Sequence, residues 1–400
     1  MKIGFDVSQT GAGKAGCGYF AEGLIRALKE LASAVKGGGG HEYILYPAFG
    51  DLFWDPQCAT ATYSTSHPAF KRMKAPAGIE ESQRFWRAAG ATPNTGATPD
   101  FETRIGSPDL VHSNNFFCPR GLARARLVYT LHDLSFLVDP SWSTEPNRVG
   151  CLEGVFRASA NADWIVANSD YTRRHFLETF PHYPAGRTAF VHPASRYGVD
   201  GPAGCPLGPR PARFSHLGVP SGPEGFWLSV GSLEPRKNQR RLVEAYVRSG
   251  SPLPLVLAGG SGWLMEDFAR RQTPGVLLTG YVSDAELEWL YRNCFGFLYP
   301  SLFEGFGMPV LEALSLGAPA ICSNTTSLPE VAGEAALLVD PLDTEALAAA
   351  MVRLAEKPLR DRLRAAGPLQ ARRFSWEASA RKLLAIYEEC ERRERCWQAW

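Results

Sequence analysis

Two carboxylates with seven residues between them, Glu304 and Glu312, mark the segment of the sequence with the most evident chemical potential. Glu304 lies in a glycine-containing turn, and Glu312 lies about one helical turn beyond a predicted helix start. We expect both carboxylates to face one cavity from different depths. Such a pair suits one acceptor for sugar hydroxyls and one acceptor for a ribose.

The same turn has features of a phosphate site. Pro309 fits the first helical position, where a missing N–H costs nothing, and Gly317 ends the helix. A helix start presents unpaired N–H groups and a positive dipole end, and Gly305 and Gly307 allow a ligand to approach the backbone closely. The backbone amides expected to contact an anionic leaving group or sugar hydroxyls lie around Phe306, Met308, Val310 and Leu311.

Two adjacent cations, Arg236 and Lys237, follow the strand predicted at residues 226–230. Alone, an Arg-Lys pair is most often solvated. In a loop that follows a strand, a fork-shaped and a point cation can together bind an anionic group. The chain contains no Asp-x-Asp sequence, so these cations and the helix amides are expected to replace a metal ion.

The run from Glu304 to Glu312, with its Gly-Phe-Gly core, resembles the retaining glycosyltransferases of family 4 (glycosyl transferases group 1), which have the GT-B fold. It is similar to bacterial mannosyltransferases. The resemblance implies that Arg236 and Lys237 clamp the donor diphosphate. It also implies donor contacts from Gly231, and from Tyr281 and Val282 along the nucleotide base.

In the first half of the chain the resemblance is looser. His132 follows a predicted strand and resembles the position at which the family has a histidine facing the donor sugar. Residues 11–16 match G-x-G-x-x-G, which would ordinarily suggest a dinucleotide, but no acidic residue ends the next strand. In the family this first loop approaches the acceptor or the donor diphosphate, which makes Gly16 and Gly18 the expected contacts.

Short β-branched or aromatic runs alternate with amphipathic segments throughout the chain, which is typical of parallel sheets with crossover helices. The predicted site residues are therefore expected at the carboxyl ends of parallel strands. The predicted class is α/β, a GT-B fold with two doubly wound Rossmann-like domains facing across a cleft. Strands are expected at residues 3–7, 43–46, 110–112, 127–131, 164–167, 189–192, 226–230, 255–258, 276–279, 296–299, 320–322 and 336–339. Helices are expected at residues 18–35 and 171–180, among others.

The predicted domain organisation has four parts. Residues 1–200 form an acceptor domain, 201–225 a linker rich in Gly, Pro and Arg that can act as a hinge, 226–375 a nucleotide-sugar domain, and 376–400 a helix that crosses back to the first domain. Residues 47–106 do not fit the alternation and are interpreted as an irregular insertion. Its aromatic and basic residues could meet a lipid carrier at a membrane surface or only water.

Composition narrows the possible partners. The 400 residues carry a net charge of +1, which leaves no overall field to attract nucleic acid. No apolar stretch approaches the ~20 residues of a membrane span, and the nine cysteines show no CxxC pair. We therefore expect reduced thiols and a cytoplasmic protein, with the inner face of the membrane as one location. The sequence does not indicate an oligomeric state.

The reaction that the resemblance implies is transfer of a hexose, with mannose from GDP-mannose as the best guess, from a nucleoside diphosphate sugar to a sugar or lipid-linked acceptor. The anomeric configuration would be kept, and the leaving diphosphate would accept the acceptor's proton. Two alternatives remain at this point. One is another GT-B enzyme, either a phosphorylase or a sugar-nucleotide epimerase, and the other is an NAD-binding Rossmann protein.

Overall fold

A computed structural model of the chain describes residues 1–11, 13–34, 40–50, 66–73, 79–88, 101–198, 209–222, 224–270 and 273–395. The chain forms two compact units. The first contains Met1–Leu134, Pro146–Pro193 and Ser375–Trp400, and the second contains Ser135–Glu145 and Ala194–Phe374. The helix at the end of the chain therefore belongs to the first unit, as does the amino-terminal strand.

The first unit is built on a seven-stranded parallel sheet with the order β3-β2-β1-β4-β5-β6-β7. Its strands are rich in Ile, Val, Leu, Phe and Tyr, which suits a sheet that is covered on both faces. They are β1 (Lys2–Asp6), β2 (Glu42–Tyr46), β3 (Phe70–Arg72), β4 (Leu110–Ser113), β5 (Arg126–Leu131), β6 (Trp164–Ala167) and β7 (Thr188–Phe190).

The helices of this unit are α1 (Gly16–Ala34), α2 (Ile79–Ala88), α3 (Phe101–Arg104), α5 (Glu145–Asn161, whose first residue belongs to the second unit), α6 (Asp170–Thr179) and α15 (Trp376–Arg392). Helices α1 and α15 pack together over the sheet. Leu24 and Leu28 of α1 share one apolar core with Leu383 and Tyr387 of α15. Burial of these side chains fixes the end of the chain to the first sheet.

The region predicted to be an irregular insertion, residues 47–106, contains regular structure, so that expectation is wrong for its described part. Strand β3 pairs in parallel with β2, and α2 carries Trp86, which is buried and donates a hydrogen bond from Nε1 to the Ala48 carbonyl at 2.9 Å. The Ala, Pro and Thr content concealed a short strand, β3, and two short helices, α2 and α3. Residues 51–65, 74–78 and 89–100 lie outside the described residues.

The second unit contains a six-stranded parallel sheet with the order β10-β9-β8-β11-β12-β13. The strands are β8 (Trp227–Val230), β9 (Leu255–Ala258), β10 (Val276–Gly280), β11 (Gly296–Tyr299), β12 (Ala320–Ser323) and β13 (Ala336–Val339). The helices are α4 (Ser135–Val138), α7 (Ala212–His216), α8 (Gln239–Ser249), α9 (Glu266–Arg270), α10 (Asp284–Asn293), α11 (Met308–Ser315), α12 (Leu328–Ala332), α13 (Thr344–Leu354) and α14 (Lys357–Ala371). Both sheets match the predicted fold class.

The second unit also includes part of the predicted linker. Residues 199–208 and 223 lie outside the description, but Phe214 of α7 and Val219 are fully buried, and the Phe214 ring lies 5.7 Å from that of Trp289. Residues 209–222 are therefore packed structure and not linker. The Gly and Pro content of this segment suggested a linker. Its five-residue helix is too short to show the periodicity that would have indicated a helix.

Two general expectations can be compared with the described residues. The cysteines that the structure describes, namely Cys17, Cys118, Cys151, Cys294, Cys322 and Cys390, are free thiols. Within the described ranges, no helix is long and apolar enough to cross a bilayer.

Candidate active site

The topology of the second sheet brings two functional loops together. Strands β8 and β11 are neighbours although they are far apart in the chain, which makes them the point where the strand order reverses. Ligands of open α/β sheets bind at the carboxyl ends of strands at such a point. The loop after β8 carries Arg236 and Lys237, and the loop after β11 carries Glu304.

Glu304 is the centre of this cluster. Its Oε1 atom accepts from Lys237 Nζ at 2.7 Å, from Tyr299 Oη at 2.9 Å and from Ser301 Oγ at 2.6 Å, and Arg236 Nη1 lies 3.0 Å away. Among the described residues, no group donates to its second oxygen, Oε2. One oxygen is thus saturated by the protein and the other remains for a ligand.

The ionisation of Glu304 follows from these contacts. Burial by itself raises the pKa of this carboxyl, but the charges of Arg236 and Lys237 and the hydrogen bonds of Lys237 and Ser301 outweigh it and hold the pKa at about 2. Glu304 is therefore a carboxylate at neutral pH and can only accept hydrogen bonds.

The two predicted cations lie where the sequence places them, but they already have protein partners. Arg236 donates from Nη1 to the Phe303 carbonyl at 2.6 Å, and its Nη2 lies 3.5 Å from Glu234 Oε2. Two cations face two carboxylates, so the cluster has little net charge before a ligand arrives. Lys237 Nζ also donates to Tyr299 Oη at 2.7 Å, which leaves one of its three protons for a phosphate.

Several side chains that the sequence did not single out hold these loops in place. Asn238 adopts a left-handed conformation with φ of 61°, and its Nδ2 donates to the Pro300 carbonyl at 2.9 Å. Ser327 Oγ contacts the Glu304 and Phe306 carbonyls, both at 2.9 Å. The sequence shows that these polar residues follow strands β8 and β12. Sequence spacing does not show which groups their side chains contact.

Helix α11 begins at Met308, so Pro309 is its second residue and not the predicted first, and the residue before the helix is Gly307. Its φ is +105°, and a Cβ atom there would lie 2.5 Å from Leu328 Cδ2, so only glycine fits without strain. The Val310 and Leu311 amides already donate to the Gly307 carbonyl, at 3.0 and 3.2 Å. Among the described residues, the Gly307 and Met308 amides have no acceptor, which leaves them for an anion. Gly305 and Phe306 lie in the same turn and are buried.

Glu312 does not share the Glu304 cavity, so the expectation that both carboxylates face one cavity is wrong in this conformation. Its side chain is 0% exposed; Oε1 accepts from Arg196 Nε at 2.7 Å, and Oε2 accepts from Tyr291 Oη at 3.1 Å. Burial raises the pKa of this carboxyl, although Arg196 and Tyr291 oppose the shift. Each oxygen could accept a further hydrogen bond, but the side chain is fully enclosed, so a ribose could contact it only after Arg196 or Tyr291 moved.

The remaining predicted contacts of the second unit lie at neighbouring strand ends. Gly231 follows β8 with φ of +149° and packs against the Lys237 stem. Tyr281 and Val282 follow β10; the Tyr281 side chain is 58% exposed, whereas Val282 is buried. Tyr281 is therefore accessible to a base, and Val282 would contribute through its backbone.

In the first unit, His132 lies after β5 and is nearly buried. Its Nε2 lies 2.7 Å from the Asn114 carbonyl; a carbonyl can only accept, so Nε2 carries the proton. Burial lowers the pKa of the ring, which favours the neutral form with Nδ1 as an acceptor. Asp6, at the end of β1, fixes Asn114 by accepting from its amide at 3.1 Å. Burial raises the pKa of Asp6 to about 6.

The two glycines predicted in the first loop have different surroundings. A Cβ at Gly18 would lie 2.0 Å from the Gln9 carbonyl oxygen, so this glycine is required by close packing of the loop on α1. A Cβ at Gly16 would meet no atom within 4 Å, and Gly16 is exposed. Gly16 is thus the more accessible of the two. Ala12, in the same loop, lies outside the described residues.

Comparison with known proteins identifies the family. The sequence profile of the family "Glycosyl transferases group 1" matches residues 218–370, and that of "Glycosyltransferase Family 4" matches residues 22–194. The O-antigen chain mannosyltransferase B of Escherichia coli is 36% identical over 292 residues, which cover 70% of this chain and 74% of that protein. The chain therefore belongs to the glycosyltransferases of family 4 (glycosyl transferases group 1). It is an enzyme that transfers glycosyl groups.

Solved structures confirm the fold of this glycosyltransferase. A sucrose-phosphate synthase from Thermosynechococcus elongatus has a TM-score of 0.68 at 21% identity and covers 97% of this chain and 98% of its own. Anabaena Alr3699/HepE, solved in complex with UDP and glucose, has a TM-score of 0.67 at 19% identity, with 97% and 100% coverage. The GT-B class is thereby established, and the NAD-binding alternative gains no support.

Proposed function

We propose that this glycosyltransferase moves mannose from GDP-mannose to a sugar or lipid-linked acceptor in polysaccharide or glycolipid synthesis, with retention of the anomeric configuration. The observation that carries the proposal is the Glu304 cluster: a carboxylate that is ionised at neutral pH and has one oxygen open, beside a lysine with one proton open. The name of the Escherichia coli relative, a mannosyltransferase, supports the choice of sugar.

The proposed mechanism assigns each group one task. The Gly307 and Met308 amides and the remaining Lys237 proton bind the diphosphate, whose negative charge increases as the sugar departs. Glu304 Oε2 accepts from a sugar hydroxyl and orients the ring. Arg236 holds the Phe303 carbonyl and the Glu304 carboxylate, so it positions the loop while adding positive charge.

The phosphate side of the site supplies hydrogen-bond donors and no large excess of positive charge, because Glu234 and Glu304 already balance Arg236 and Lys237. Lys237 bonds to Glu304, which lies three residues before Gly307, so its remaining proton and the amides at the start of α11 can together bind a diphosphate leaving group. We therefore propose that the reaction needs no metal ion. In the first unit, His132 Nδ1 is proposed to accept a hydrogen bond from a substrate hydroxyl, because Nε2 is committed to Asn114.

UDP-hexose is a second candidate donor. Anabaena Alr3699/HepE, which shares the fold, was solved with UDP and glucose.

A thermal-shift panel followed by a turnover assay tests the proposal. UDP, GDP, ADP and dTDP are compared first; a nucleotide at 100 times its Kd stabilises the folded state by about 2.7 kcal/mol. We expect the largest shift in melting temperature with GDP. We also expect the enzyme to consume GDP-mannose in the presence of EDTA and to form an α-configured product, as seen by NMR.

A larger shift with UDP would favour UDP-hexose as the donor. A β-configured product would contradict retention, and a loss of activity with EDTA would contradict metal independence.

A further inference from the structure

The loop after β12 packs against the turn that carries Glu304. Most residues from Ser323 to Ser327 have a side-chain hydroxyl group. Ser323 Oγ donates to the Ser301 carbonyl at 2.6 Å, and Ser327 Oγ lies 2.9 Å from the carbonyls of both Glu304 and Phe306. These two serines are engaged with carbonyl groups, so the amide of Glu304 requires a different partner.

Thr326 is the partner of that amide. The Glu304 N–H donates to Thr326 Oγ1 at 3.2 Å. Across the described ranges, the Glu304 amide has no other acceptor, and the residue is only 8% exposed. Removal of the Thr326 hydroxyl would therefore leave a nearly buried donor unpaired.

The backbone of Thr326 is strained. Its φ is 58°, in the left-handed region that residues with a branched Cβ rarely adopt. The other described non-glycine residues with positive φ have an unbranched Cβ, and they are Ser107, Glu224, Asn238 and Leu264. A glycine would adopt this conformation without strain but would supply no hydroxyl group. Strain of this kind persists where surrounding contacts hold it, and it is concentrated at functional sites.

We infer that Thr326 is a positioning residue for the proposed donor-sugar contact: its hydroxyl holds the Glu304 amide and so fixes the backbone from which the open Oε2 oxygen projects. The donors to the Glu304 side chain, such as Lys237 and Tyr299, all contact Oε1. They hold one oxygen in place, and the direction of the other depends on where the backbone lies. The inference rests on the proposed function for the task of Oε2, but not for the hydrogen bond.

Four variants separate this role from a purely structural one. Thr326→Ser keeps the hydroxyl, Thr326→Val keeps the branched shape without the hydroxyl, and Thr326→Gly removes both the hydroxyl and the strain. Thr325→Val is the matched control, because the neighbouring Thr325 hydroxyl is buried and has no partner among the residues that the structure describes. The measurements are the melting temperature, the Kd of GDP and of UDP, and the kcat for consumption of GDP-mannose and of UDP-glucose.

Loss of the hydroxyl should lower turnover whatever it does to stability. Thr326→Val and Thr326→Gly should each lower kcat by about 10-fold or more, because Glu304 Oε2 is misdirected. Thr326→Val should also lower the melting temperature by about 2–4 °C, since the strain remains and the amide loses its acceptor. Thr326→Gly should stay within about 2 °C of the wild type, because relief of the strain offsets the lost hydrogen bond.

The other quantities should hardly change. Thr326→Ser and Thr325→Val should keep kcat within about 2-fold of the wild type. All four variants should bind GDP and UDP as the wild type does, because the proposed base and phosphate contacts are made by other groups. If Thr326→Val does not fold, the comparison of Thr326→Gly with Thr326→Ser decides the outcome.

Three results would overturn the inference. Wild-type kcat in folded Thr326→Gly would show that the hydroxyl does not position Glu304. An equal loss of kcat in Thr325→Val would assign the effect to general packing of the loop, and a parallel loss of nucleotide affinity in Thr326→Gly would mean that the whole turn is displaced.

Failure of the proposed function would give a different result. Wild-type protein that consumes neither GDP-mannose nor UDP-glucose would overturn the proposed function. A crystal structure of Thr326→Gly would then decide the inference, which requires that Glu304 Oε2 has moved from its wild-type position; an unmoved Oε2 would overturn it.

Discussion

At the scale of single residues, two carboxylates of one motif have opposite environments. Glu304 lies next to two cations and two further donors with one oxygen left open, and its pKa is held at about 2. Glu312 is enclosed by Arg196 and Tyr291, and burial raises its pKa. The same residue type thus has a proposed ligand role at one position and a structural role at the other.

The pKa of Asp6 gives a prediction of pH dependence. The folded value is about 6 and the ordinary value is 3.8, so between these limits the folded chain holds more protons than the unfolded chain. Stability from this group therefore increases as the pH falls. From pH 7 to pH 5 the gain should be roughly 1 kcal/mol.

Urea unfolding of the wild type and of Asp6→Asn at pH 7 and pH 5 measures this gain. Asp6→Asn should lose the gain, whereas Asp267→Asn, a change on the exposed face of α9, should keep it. Identical pH dependence in the wild type and Asp6→Asn would contradict the assignment.

Some of the site could be predicted from residue types alone, and some could not. The positions of Arg236, Lys237 and Glu304 follow from their place after strands, which is a local property. Tyr291 and Arg196 are far from Glu312 in the sequence, and nothing in their spacing shows that they would enclose it. Burial of a carboxylate depends on these distant partners, so the sequence wrongly suggested an open Glu312.

At the scale of elements, the start of α11 depends on Gly307. Gly307→Ala should destabilise the fold by about 1–3 kcal/mol, because an L-residue is strained at φ of +105° and its Cβ would strike Leu328. It should also weaken nucleoside diphosphate binding, because the first turn of α11 must move.

Gly317→Ala is the matched control for this prediction. Gly317 follows the other end of α11 with φ of +72°, and a Cβ there would have its nearest contact at 3.7 Å, with the Arg364 carbonyl. The control should lose stability but keep its nucleotide affinity in titration calorimetry. Equal losses of affinity in both variants would mean that helix stability, and not the shape of its first turn, governs binding.

Long alternating segments were predictable, and short irregular ones were not. Strands such as β9 and β11 consist almost wholly of apolar residues between turns, and their bounds agree with the structure. Strand β3 and helix α7 are three and five residues long and stand among Pro, Ala and Gly, so tertiary packing of Phe70 and Phe214 decides their conformation.

At the scale of the whole molecule, both units have a parallel sheet whose strand order reverses between two neighbouring strands. In the first unit, Asp6 ends β1 and Asn114 follows the neighbouring strand β4, and in the second unit the loops after β8 and β11 meet in the same way. Polar side chains thus gather at the strand-order reversal of each sheet. The family membership, the fold and this placement together support a nucleotide-sugar site in the second unit.

The most direct test of this account is calorimetric titration of GDP and GMP into the wild type, Lys237→Met and the exposed-site control Lys357→Met. If Lys237 and the start of α11 bind the second phosphate, the wild type and the control should prefer GDP to GMP. Lys237→Met should lose about 10-fold or more of its affinity for GDP while its affinity for GMP changes less. Unchanged GDP affinity in folded Lys237→Met would contradict the account.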